Sequence, residues 1–270
     1  MPEQLTSYHE TGKKLEQYLR LSTFPLAVKL VKTADEIPEE CKRPSRDLGF
    51  QNFICQNFKM CRTYGWTMAV TEEDTNCRAA RMVYGWDTLD EKEAENLLRF
   101  NIGLYSRDIE TAKKGEAYTC RLDNAYEGLI VSPLARTKIE PDVILIYCMP
   151  AQMMRLIQGY LYCDGGAVES TAAGRMGSCH EGVIKTFMTK KPQMVILGNG
   201  DRIWGGAQDS EVLFTCPRER LDLLVEGIEA THAAGLRYPV PGYMNYEPGF
   251  QASFETRALE RAGLTLVKTE

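Results

Sequence analysis

An α/β or α+β fold, with a mixed sheet flanked by helices, is what this 270-residue chain predicts. Three observations lead there. Short apolar runs with strand character alternate with helical patterns. Two of those runs, Gly128-Leu129-Ile130-Val131 and Asp142-Val143-Ile144-Leu145-Ile146-Tyr147-Cys148, are strong strand candidates. No repeat, low-complexity segment or linker forces a division, so residues 1–270 are expected to form one unit with room for two lobes.

In chain order, Leu5, Tyr8, Leu15, Tyr18 and Leu19 fall near helical spacing and predict an amphipathic helix over 4–20. Phe24 to Lys32 then reads as a core strand. Lys29 interrupts it, and a buried ammonium demands a carboxylate or an anionic ligand unless it snorkels from the strand end. Residues 33–47 are polar, with two prolines, and predict a loop. A helix over 50–64 should end at Gly65. Trp66 to Thr71 predicts a strand, and Thr71-Glu72-Glu73-Asp74 a capped turn before Cys77. The polar span 88–115 suggests two helices, opened at Asp90 and near Asp108. After the two strong strands, Pro150 suits the first turn of a helix over 151–161. A strand at 194–197, a turn at Gly198-Asn199-Gly200, a strand at 211–215 and a helix from Pro217 to about Ala230 complete the pattern.

Composition narrows the function classes. A formal charge of −5 and a pI near 5.5 oppose nucleic-acid binding, which needs a basic face. The charged, amphipathic start lacks the features of a signal peptide, and no run approaches the roughly 18 apolar residues of a membrane span. The expectation is a cytoplasmic protein with no membrane association, for which a homodimer is permitted but not required. Nine cysteines are then the unusual feature. Their odd number and the reducing compartment argue against a disulfide framework, and a chain this long needs none.

Three constellations could carry chemistry. Thiolates at helix and loop ends are ligands of zinc and iron–sulfur centres. Cys55, Cys61 and Cys77 match no standard finger or ferredoxin spacing, so a further ligand must come from elsewhere, from Cys179 or Cys163. Cys55 and Cys61 lie six residues apart on one expected helix, about 120° around its axis, and cannot share a narrow face. The second constellation is a cysteine nucleophile in Gly177-Ser178-Cys179-His180-Glu181, although an adjacent histidine is not automatically its base. The third is the glycine-rich turn ending in Asp201-Arg202, where Arg202, with Lys29 and Gln152, could hold an anionic small molecule. Against all three stands the reading of buried cysteines as small core residues and of the turn as purely structural.

Several segments together resemble a known family. They are Pro25-Leu26-Ala27-Val28-Lys29, Cys77 with Gly85, Pro141-Asp142-Val143 leading to Pro150-Ala151-Gln152, and Gly200-Asp201-Arg202 with Asp209 and Glu211. They are similar to the domain of unknown function 169 family of bacteria and archaea over roughly 10–240. The resemblance carries no activity with it. It implies three cysteine positions, matched here by Cys55, Cys77 and Cys179, and a further one before the Asn-Gly-Asp-Arg turn, where this chain has Gly198. The leading expectation is a metal or iron–sulfur protein, possibly redox-related, with Cys55, Cys77, Cys179 and either Cys61 or Cys163 binding a cluster or zinc. A module for an anionic molecule and a cysteine-dependent enzyme are the alternatives.

Overall fold

A computed structural model describes residues 3–87, 90–123, 125–240 and 253–264. Its six strands are β1 (Leu26–Val31), β2 (Met68–Thr71), β3 (Gly128–Pro133), β4 (Val143–Cys148), β5 (Gln193–Val195) and β6 (Val212–Pro217). They form one sheet in the order β2-β3-β1-β4-β6-β5, and each pairing is antiparallel. Around it lie α1 (Glu3–Leu19), α2 (Ile54–Tyr64), α3 (Arg78–Val83), α4 (Glu91–Asn101), α5 (Ile109–Ala117), α6 (Pro150–Leu161), α7 (Thr186–Thr189), α8 (Asn199–Ile203) and α9 (Leu221–Ala233), and a last helix, α10 (Ser253–Ala262), follows in the chain. The helix-flanked sheet is the architecture the alternating pattern implied.

Both sheet faces are covered, and the two-residue period of a strand divides the core accordingly. Leu26, Val28 and Leu30 of β1 join Val143, Leu145 and Tyr147 of β4 against Phe58 of α2, Met82 and Val83 of α3, and Val183 and Ile184. Ala27, Ile144, Ile146 and Phe214 face the other way, toward Leu15 and Leu19 of α1, Leu156 of α6 and Leu224 and Ile228 of α9. Each fully buried aliphatic side chain contributes about 1.5–3 kcal/mol. Packing in the core, rather than intrinsic propensity, therefore holds a helix as short as α3 in place.

Several boundaries differ from the sequence expectation for local reasons. The helix expected from 50 begins at Ile54, because Asn52 forms a bridge with Thr75 and the Gln56 side chain caps the Phe53 amide at 2.8 Å. Gly65 closes it as expected, at φ 74°, with its amide on the Cys61 carbonyl. The turn at 198–200 is the first turn of α8, and the helix expected from Pro217 starts at Leu221 after a 3-10 turn. Residues 88 and 89, which open the polar span, lie outside the described residues. Lys29 is half-buried, and its Nζ lies 3.9 Å from Asp142, so it has the carboxylate that its position demanded. Among the described residues no helix is long and apolar enough to cross a membrane.

Candidate functional site

Cys55, Cys77 and Cys179 open onto one cavity of about 260 Å³. They come from three segments of the chain: the start of α2, the residue before α3, and a π-helical stretch, Gly177–Lys185.

The first two thiols are brought together by backbone contacts. The Asn52 amide donates to the Asp74 carbonyl at 2.9 Å, and the Thr75 hydroxyl donates to the Asn52 carbonyl at 2.6 Å. That hydroxyl also accepts from the Cys77 amide at 3.2 Å. Cys55 lies three residues beyond Asn52 and Cys77 two beyond Thr75, so this short bridge sets both thiols on the same wall.

Asp74 anchors the bridge from beneath. Its fully buried carboxylate accepts from Arg43 at 2.7 Å, from the Thr71 amide at 3.0 Å and from the Ser45 hydroxyl. Burial alone pushes this carboxyl up, but the bonds from Ser45, the Thr71 amide and Arg43 outweigh it and hold the group below the usual carboxylate range. A carboxyl lowered on folding stabilises the fold above its unfolded titration range, and that contribution is lost as pH falls through the folded value. Asp74→Asn should therefore cost about 2–4 kcal/mol at neutral pH. In urea unfolding followed across pH, the gap to the wild type should shrink in acid.

The third thiol is held by Asp201. Its carboxylate accepts from the Ser178 amide at 3.2 Å, the Ser178 hydroxyl and the Gly198 amide at 3.0 Å, tying the π-helical stretch to the start of α8. Cys55 closes the circuit, its Sγ donating to the Gly200 carbonyl at 3.3 Å. The widened turn itself shows in the Glu181 amide bonding to the Met176 carbonyl, five residues back. Such turns are rare and concentrate at functional sites.

The rest of the cavity is mostly apolar. Phe53 and Trp204 stack with ring centroids 4.2 Å apart and planes 4° from parallel, forming one wall. Met82, Leu97, Phe100 and Met176 contribute others. Burial pushes all three thiols up, and the Asp201 charge adds to the effect at each of them. Raised in this way, they favour the protonated thiol over the nucleophilic thiolate. His180 is no base for Cys179 either, since its Nε2 accepts from the Cys120 amide at 2.9 Å. Burial, with Lys185 nearby, lowers that imidazole to about 4.

The other residues singled out from the sequence lie elsewhere. Cys61 is fully buried, with its Sγ 3.4 Å from the Val131 carbonyl, on the flank of α2 that the 120° separation from Cys55 required. Cys163 is exposed beyond α6. Lys29, Gln152 and Arg202 do not converge. Lys29 pairs with Asp142, Gln152 donates to the Leu19 carbonyl at 2.9 Å, and Arg202 donates to the Gln208 carbonyl at 2.6 Å. None of the three lines the cavity. Gly198 has no room for the cysteine that the family resemblance implies there, because a Cβ would sit 2.6 Å from the Arg175 carbonyl oxygen. Among the described residues no three His, Cys, Asp or Glu side chains are grouped so as to grip a single metal ion.

Asn101, Phe53, Trp204 and Ser178 also belong to the site, and no motif in the sequence marks them as binding residues. Asp201 was visible only as the companion of Arg202 in the turn.

Residues 14–227, which include every cysteine of the cavity, match the family described as domain of unknown function 169, uncharacterised ArCR. The chain belongs to that family. It is similar to the uncharacterized protein MJ0308 of Methanocaldococcus jannaschii, with 28% identity over 221 residues, covering 82% of this chain and 93% of the relative. No solved structure matches it.

Proposed function

We propose that the chain is an iron–sulfur protein whose centre is bound by Cys55, Cys77 and Cys179. The observation that carries this reading is the convergence of three cysteines, from positions 55, 77 and 179, on one cavity. Cysteines serving only as core filler would have no reason to share a cavity. Each is also fixed by its own backbone contacts, as ligand residues need to be.

The three thiols line one cavity without being grouped to grip a single metal ion, which favours a cluster over a single zinc ion. With Cys61 and Cys163 elsewhere, three cysteines leave one position of a cluster free of protein thiolate. Asp201, committed to Ser178 and Gly198, serves to position Cys179. The bound centre would supply electron transfer or Lewis acidity beside an apolar chamber, and the thiols would lose their protons on binding it.

The test is anaerobic purification with iron, zinc and acid-labile sulfide analysis and an absorption spectrum. Iron and sulfide are expected in stoichiometric amounts. They should fall at least tenfold in Cys55→Ser, Cys77→Ser and Cys179→Ser, and persist in Cys61→Ser and Cys163→Ser. Protein that stays colourless and metal-free after reconstitution with iron and sulfide, with all nine thiols titratable, would sink the reading. Stoichiometric zinc without sulfide would replace the cluster by a single ion.

A further inference from the structure

One side of the cavity is built from a helical hairpin, formed by α4, α5 and the turn between them, which supplies Leu97, Phe100, Asn101 and Tyr105 to the lining. The other lining residues, the three cysteines among them, belong to the body of the protein. The hairpin is held together from within. At its turn the Asn101 carbonyl accepts the amides of Leu104, Tyr105 and Ser106, and the Gly103 amide donates to the Ser106 carbonyl at 2.8 Å.

Little apolar surface fastens it to the body. The two helices pack chiefly on each other, and of their residues only Asn101 and Ala112 are buried. Leu97 reaches the edge of the core, whereas Phe100, Leu104 and Tyr105 are 65%, 62% and 45% exposed. The ties that supplement Leu97 are polar. Glu116 pairs with Arg175 at 3.4 Å, Glu93 lies 3.8 Å from Arg78, and the Arg175 guanidinium lies 5.4 Å from the Tyr105 ring centroid. Water reaches both partners of the Arg78–Glu93 pair and weakens it. A unit held by so few buried apolar contacts opens far more readily than the core does. The central strands β1 and β4, buried on both faces, mark the opposite extreme.

We propose that α4 and α5 form a hinged wall, which opens as a unit while the sheet stays folded, and that this opening is the route by which the centre held by Cys55, Cys77 and Cys179 is installed. Displacing the hairpin takes four side chains from the lining and leaves the cysteines on an open face of the body. With the hairpin in place the chamber, about 260 Å³, is smaller than the roughly 300–1,000 Å³ typical of small-molecule sites. The route rests on the iron–sulfur reading. The opening does not, and it is measured on metal-free protein.

Native-state hydrogen exchange of the purified, metal-free chain is the first measurement. Amides inside α4 and α5 are expected to be about a hundredfold less protected than those of β1 and β4, and to share one dependence on low urea. The second is labelling by a maleimide dye too bulky for the closed cavity, with each cysteine followed by mass spectrometry. Cys77 and Cys179 should react under conditions where Cys61, sealed in the core, does not. Glu116→Gln weakens the tie to Arg175 without altering the lining, and should speed that labelling about fivefold at an unchanged urea midpoint. Leu97→Ala, which removes the apolar contact, should speed it too. The proposal is overturned if the hairpin is as protected as the central strands, if Cys77 and Cys179 are labelled only at urea concentrations that also expose Cys61, or if neither variant speeds their labelling. A hairpin that opens in a protein unable to take up iron would keep the opening and end the iron–sulfur reading. Iron bound by the three cysteines beneath a hairpin as protected as the sheet would do the reverse.

Discussion

Replacing Asp201 with alanine should destabilise the protein by about 3–5 kcal/mol and loosen Cys179. The carboxylate is 5% exposed and accepts from the Ser178 amide and hydroxyl and from the Gly198 amide. Hydrogen bonds to a charged acceptor contribute about 1.5–3 kcal/mol each, and donors left buried without a partner add a desolvation cost. Asp201→Asn keeps one acceptor oxygen and should lose about half as much. Urea denaturation of the two variants checks the order and size of these effects. Since Ser178 directly precedes Cys179, the alanine variant should also speed alkylation of that thiol relative to Cys61, whose environment on β3 is untouched. A loss within about 0.5 kcal/mol, the range of an ordinary surface change, would mean that Asp201 does not fasten the π-helical stretch to α8.

How far the sequence reaches toward this site depends on the kind of signal each residue leaves. The three thiols are visible because cysteine is scarce enough for an excess to be noticed, and helical geometry alone separates Cys55 from Cys61. Nearly continuous apolar runs in β1 and β4 likewise foretell a sheet covered on both faces. Strand order is not foretold: neighbours such as β3 and β1 are far apart in sequence and are matched by packing. The widened turn at Gly177–Lys185 has no periodic signature of its own, because a five-residue step appears over only one or two turns. Asn101 is harder still. It ends a helix whose other residues are exposed or half-buried, so no apolar periodicity marks it as a cavity residue. Arg202, by contrast, looked like a ligand residue because a glycine-rich turn carries it. The same turn bends the chain so that the guanidinium reaches the Gln208 carbonyl.

A second large effect is expected where α2 meets the loop before β6. Seven residues beyond Cys55, two helical turns along the same face, Arg62 forms a two-pronged pair with Glu211 at 2.7 and 3.3 Å. Their side chains are 3% and 9% exposed. The guanidinium also lies 4.2 Å from the Tyr147 ring centroid and donates to the Gly206 carbonyl at 3.3 Å, while Glu211 accepts from the Gln208 amide at 2.7 Å. Glu211→Ala leaves a buried cation without its counter-charge and should cost about 3–5 kcal/mol, more than any exposed ion pair of the molecule. Replacing both partners by apolar residues, Arg62→Met with Glu211→Leu, removes the charge that would be stranded. That double variant should be closer to wild type than Glu211→Ala alone. Stability restored in this way need not restore the site. Gly205, on the same loop, packs so closely on α2 that a Cβ there would come within 3.1 Å of the Cys55 Cβ. The ion pair fixes the 205–211 backbone at that distance, so the double variant should unfold near the wild-type urea midpoint while its Cys55 thiol reacts faster with an alkylating probe. A Cys55 as slow to react as in the wild type would show that packing alone, without the ion pair, seals that side of the cavity.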